Sequence, residues 1–178
     1  MLKQFTVMTL TLSGCSTLLV AGPTFAEETS RQAEVASRGA EVMPFQLQAT
    51  RHVFTKTPAG GVQQVLVRDA GNTAQIGMIR MHLGMIAAQF GQGDFSAPAH
   101  IHGMDMQGLA VLQLAKPGTV QVRYQDVPGG GQIEYTTRDA SLVTALHQWF
   151  DAQVSDHGKD AEAGSMPHDG MHHNMMQN

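Results

Sequence analysis

Arg51-His52-Val53-Phe54-Thr55-Lys56-Thr57-Pro58-Ala59-Gly60-Gly61-Val62-Gln63-Gln64-Val65-Leu66-Val67-Arg68 is the stretch that decides the fold. Two β-rich runs, Arg51 to Thr57 and Val62 to Arg68, flank a Pro/Gly cluster that can reverse the chain, and together they predict a hairpin. The arrangement recurs downstream. In Thr119 to Asp126, Val120, Val122 and Tyr124 alternate with Gln121, Arg123 and Gln125. Pro128-Gly129-Gly130-Gly131 then turns the chain into Gln132 to Thr137, where Ile133 and Tyr135 alternate with Gln132 and Glu134. One apolar and one polar face predict an antiparallel sheet covered on one side.

The cover is legible between and after the hairpins. Ile76, Ile79, Leu83, Ile86 and Phe90 recur at three- and four-residue steps and predict a helix from about Thr73 to Phe90. Asn72 and Gln75 have capping-box spacing at its start, and Gly91 and Gly93 end it. Asp105 is placed to cap a short helix running to about Ala115, before Pro117-Gly118. A last helix spans about Ala140 to His157, with Asp139 or Ser141 as cap, Leu142, Leu146, Trp149 and Phe150 on its buried side, and Gly158 as its stop. The order ββ-α-α-ββ-α over residues 51–158 predicts an α+β domain: two β-hairpins in one antiparallel sheet, with about three helices packed on one face.

The 178 residues suffice for one such domain with tails. Lys3 followed by an apolar run from Phe5 to Val20, then Thr24-Phe25-Ala26 before Glu27-Glu28, predicts a signal peptide over 1–26 and a periplasmic or secreted product. Leu12-Ser13-Gly14-Cys15 offers the alternative of lipid anchoring at Cys15. Cys15 is the only cysteine, so a chain cleaved after Ala26 has no disulfide and no thiolate chemistry. Residues 27–50 read as a linker or loose helix, broken by Gly39 and Pro44. A net charge of −4 gives no basic footprint for nucleic acid, and the mature chain shows no membrane span.

Twelve methionines and nine histidines point toward metal chemistry. Their densest meeting is His100-Ile101-His102-Gly103-Met104-Asp105-Met106. In an extended segment His100 and His102 point the same way, and a turn at Gly103 would bring Met104 and Met106 back toward them. Imidazole suits copper and zinc, and thioether sulfur selects Cu(I), so the cluster is expected to bind copper, Cu(I) above all, with zinc possible. His82, set between Met78 and Met85 on one helix face, is a further candidate ligand. His147 shares a face with Asp151, a carboxylate able to orient it. His157, in the last helical turn, fits a cation meeting the helix dipole. The tail over 159–178, with His168, His172 and His173 among Met166, Met171, Met175 and Met176, is expected to be disordered and to collect metal.

The His100-Ile101-His102-Gly103-Met104-Asp105-Met106 motif, with Tyr135-Thr136-Thr137-Arg138-Asp139 and His147-Gln148-Trp149-Phe150-Asp151, resembles a functionally uncharacterised family of small exported bacterial proteins. The resemblance covers roughly Arg51 to His157 and implies export and a single domain. Some members carry an aspartate carbamoyltransferase label, but the Ser-Thr-Arg-Thr phosphate-binding motif of that enzyme is absent here and the chain is too short for its two domains.

Three functions follow as expectations. The first is copper binding for tolerance or delivery, with a metal ion and a copper-delivery protein as partners. The second is a Zn or Fe enzyme in which His52, His82, His100, His102 and His147 converge, with Asp105 or Asp151 as acid/base. The third is a small-molecule binding module. No nucleophile elbow or phosphate-binding glycine loop is present. Histidines from different elements meeting in a closed cleft would favour the second, and a solvent-facing His/Met loop the first.

Overall fold

The structure is a computed structural model that describes residues 25–166. The chain forms α1 (Phe25–Val42), β1 (Thr50–Thr57), β2 (Gly60–Val67), α2 (Thr73–Gly91), α3 (Ser96–His102), α4 (Leu109–Leu114), β3 (Gln121–Val127), β4 (Gly130–Thr136), α5 (Ala140–His157) and β5 (Ala161–Ala163). It is an α+β fold built on one five-stranded sheet of order β3-β4-β2-β1-β5. The two hairpins join through antiparallel pairing of β2 with β4, from Gly60↔Thr136 to Leu66↔Gly130.

Alternation along the strands sends His52, Phe54, Val65, Ile133 and Tyr135 to the face that α2 and α5 cover, where all five are buried. Trp149 and Phe150 of α5 pack there edge-on or tilted against Tyr135, with ring centroids 5.6 and 5.8 Å away. The opposite face is polar. Gln64 donates to Gln132 at 2.8 Å, and Arg123 lies 3.7 Å from Glu134.

The caps follow their residues. Asp139 accepts from the backbone N–H groups of Ser141 and Leu142 at the start of α5. Asn72 likewise accepts from Gln75 N–H, but the Gln75 side chain accepts from the Gln46 N–H instead of reaching back. Half of the capping box is therefore spent holding the entry to β1. Gly108, at φ +77°, starts α4 so close to α5 that a Cβ there would lie 2.1 Å from the Ala145 carbonyl oxygen.

Three elements depart from the sequence reading. Of the two readings of residues 27–50, the helix holds over 27–42, which lie within α1, but it is packed rather than loose and runs through Gly39, because Val35 is buried in the core and Arg31 is tied to α5. Residues 161–163 pair in parallel with β1, so the ordered domain runs past Gly158. Ser96–His102 is helical rather than extended. Pro98 falls in its first turn, where an absent N–H costs nothing, and Asp94 accepts from the Ser96 N–H. Gly103, at φ +88°, ends that helix.

Candidate functional site

The helical state of Ser96–His102 separates the two histidines of the sequence motif, since residues two apart on a helix point to nearly opposite sides. His100 is exposed, with Nε2 3.3 Å from Glu41 Oε2. His102 is 1% exposed and points inward. Met106 enters the hydrophobic core, while Met104 stays 66% exposed in the turn between helices. The four residues thus share no pocket.

His147 and Asp151 also go separate ways. His147 Nε2 donates to the carbonyl oxygens of Thr57 and Gly60, at 3.0 and 2.9 Å, and so pins α5 to the first hairpin turn. Asp151 pairs with Lys56 on the surface. Asp105 is exposed beside α3. His168, His172 and His173 lie outside the described residues.

What the fold brings together is a different set. His52 on β1, His157 at the end of α5 and His102 at the end of α3 form a row, with ring centroids 5.1 Å apart for His52 and His157 and 5.0 Å for His157 and His102. His82 of α2 continues the row behind Phe45, whose ring lies 5.6 Å from His82 and 6.0 Å from His52. All four histidines line one cavity of about 60 Å³, walled by the end of α1 and by apolar residues of α2 and α3.

One end of the row is anchored. Asp156 Oδ2 lies 2.8 Å from His102 Nδ1, and the carboxylate accepts from Arg31 Nε and Nη2 at 3.0 and 2.8 Å. Arg31 Nη2 also donates to the His102 carbonyl oxygen. An ionised Asp156 can only accept, so Nδ1 of His102 carries the hydrogen of this bond and the ring is held in one orientation. Burial alone would raise the Asp156 pKa, but the hydrogen bonds from His102 and Arg31 outweigh it and hold the carboxyl at about 2.

The rest of the row is neutral at neutral pH. Burial, helped by the charges of His82 and His102, pushes His52 down to about 4. Burial lowers His82 as well. His157 is held well below its ordinary value by burial and by His52 and His102, against the opposing pull of Asp156. A neutral His157 makes no cationic cap for α5, so its place in the row, not the helix dipole, describes it.

Two ring nitrogens of the set, His52 Nε2 and His82 Nδ1, are buried with no protein hydrogen-bond partner. Such groups normally find a partner, because burying one unpaired costs about 1–3 kcal/mol. Among the described residues no three His, Cys, Asp or Glu side chains already stand around a common point at metal-ligand spacing.

His157 and Asp156 were the residues that sequence reasoning missed as a site. Their signal is slight: a carboxylate beside an imidazole in the last turn of a helix, where the helix dipole disfavours an anion and another partner must hold it.

No known protein family matches the chain, and neither a curated protein nor a solved structure is found to resemble it. Among the described residues no helix is long and apolar enough to cross a membrane.

Proposed function

We propose that the protein binds a transition-metal ion, copper or zinc, through the imidazoles of His52, His157 and His102, and that it does so in the cell envelope. The observation that carries this reading is His52 Nε2, buried without a protein partner 5.1 Å, ring to ring, from His157. Imidazoles that share one ion bind it at about 2.0–2.1 Å, which places their ring centroids on the order of 5 Å apart. Both adjacent pairs of the row have that spacing. Asp156 supplies the carboxylate that commonly orients a ligating histidine. The leader read in residues 1–26 supports the location.

Imidazole rather than thioether dominates this set, which favours Cu(II) or Zn(II) there over Cu(I). A cavity of about 60 Å³ is small against the roughly 300–1,000 Å³ of small-molecule sites, so an ion suits it better than a drug-sized ligand.

Thermal unfolding of the intact chain tests the proposal. Ligands that bind an ion equally in the folded and unfolded chain leave the midpoint unchanged, whereas a site made only by the fold raises it. Cu(II) or Zn(II) at 100 times Kd should stabilise the wild type by up to about 2.7 kcal/mol, less whatever the unfolded histidines bind. His52→Gln and His157→Gln should abolish the rise, and His100→Gln should keep it. A midpoint that neither ion moves would sink the reading.

A further inference from the structure

Outside the histidine row, α2 carries a second concentration of donor atoms. Met78, Met81 and Met85 are spaced three and four residues apart. At 100° per residue they fall within an arc of roughly 60°, each one turn from the next. Met81 is 66% exposed and Met85 52%, while Met78 is partly buried against the core. Large apolar side chains on a domain of this kind are usually drawn inward, and the inward face of α2 is already filled by Ile79, Leu83, Ile86 and Phe90.

The neighbourhood leaves Met81 and Met85 uncovered. Gly77 has open space where a side chain would stand, one turn before Met81. Ala74 and Ala88 are exposed on the same side, so no charged group of α2 covers the methionines. Arg80 is turned away, with Nε and Nη2 donating to the carbonyl oxygens of Gly130 and Val127 and Nη1 3.2 Å from Asp126.

We propose that Met78, Met81 and Met85 form a surface site for a soft monovalent cation, Cu(I) or its analogue Ag(I), held by three thioether sulfurs. The chemistry is that of the ligands. Thioether is neutral and soft, cannot be protonated in the working pH range, and selects Cu(I) over zinc and hard cations. Long unbranched methionine side chains one turn apart can converge on one ion without moving the backbone. Redox state divides this site from the imidazole row: thioethers take the reduced ion, imidazoles the oxidised one or zinc. The site does not depend on the histidine row.

Ag(I) titration of the intact protein with ¹³C-methyl-labelled methionine reads each thioether separately. Met78→Leu, Met81→Leu and Met85→Leu assign the three signals and preserve size and apolar character on a helix. The three methyl signals should move together in one saturable step. The Met81→Leu, Met85→Leu double variant should lose the Met78 shift and weaken Ag(I) at this site at least tenfold, with its amide spectrum otherwise unchanged. Zn(II) should leave all three signals in place. If these signals stay fixed while other methionine methyls shift, or if Met78 still shifts in the double variant, the proposal is wrong.

Discussion

His52 shows what a single residue costs the fold. Phe54 on the same face of β1 and Val65 across on β2 are apolar, and its ring is closed off from water, so the protonated form is disfavoured. In the metal-free protein above pH 6.5 neither the native nor the unfolded chain protonates this group. Between pH 6.5 and about 4 the unfolded chain takes up a proton that the native state refuses, and stability falls as the pH falls. A shift of that size is worth about 3 kcal/mol, and His82 and His157 act in the same direction. Asp156 adds a second, lower window, holding its contribution above about pH 4 and losing it as the pH drops through about 2. Urea midpoints of the metal-free protein should therefore decline steadily from pH 7 to pH 4.5, and His52→Gln should flatten the slope. A midpoint constant over that range would contradict the burial argument.

At the scale of elements, β5 tests how much a short strand can hold. Three residues pair in parallel with β1, from His52↔Ala161 to Phe54↔Ala163, and the Gly164 N–H donates to the Phe54 carbonyl oxygen at 2.9 Å. Asp160 lies 3.2 Å from Arg68 just before the strand. Ending the chain after Asp160 removes the pairing but spares that ion pair. Ending it after Met166 removes neither. At about 1 kcal/mol per net backbone hydrogen bond, the shorter chain should lose about 1–3 kcal/mol, or several degrees in Tm, while the longer one matches the full protein. Equal midpoints for the two would mean that β5 is only an ornament of the sheet. Neither β5 nor α3 was legible beforehand, for different reasons. Ala161-Glu162-Ala163 has no β-branched or aromatic residue, and only the free edge of β1 makes it a strand. In α3, the i, i+2 spacing of His100 and His102 ahead of a turn at Gly103 suggested an extended segment, although Pro98 in the first turn is compatible with a helix.

Over the whole molecule, the hairpins and the helices α2 and α5 were legible because their periodicity is local: alternating polar and apolar residues in β3 and β4, and the stripe from Ile79 to Phe90 in α2. The candidate site was legible only in part: His52, His82 and His102 stood among the histidines expected to converge, and they do line one cavity, whereas His100 and His147 do not join them and His157 was not among them. A sequence displays spacing only along the chain, so two histidines two residues apart looked like a site. His52 and His157, more than a hundred residues apart, meet only because β1 lies under the end of α5.

The clasp of Arg31 on Asp156 and on the His102 carbonyl has a kinetic side. Val42, Met43 and Phe45, at and just beyond the end of α1, wall the cavity that the histidines line, and Arg31 fastens the same helix across α3 and α5. Under the proposed function, uptake at His52 is expected to follow a local opening of α1, and a gated step saturates. In stopped-flow mixing the observed rate of Cu(II) uptake by the histidine row should level off as the ion concentration rises. Arg31→Ala, which removes no imidazole, should lift the plateau severalfold, and a rate that climbs linearly and identically in both proteins would show an open door.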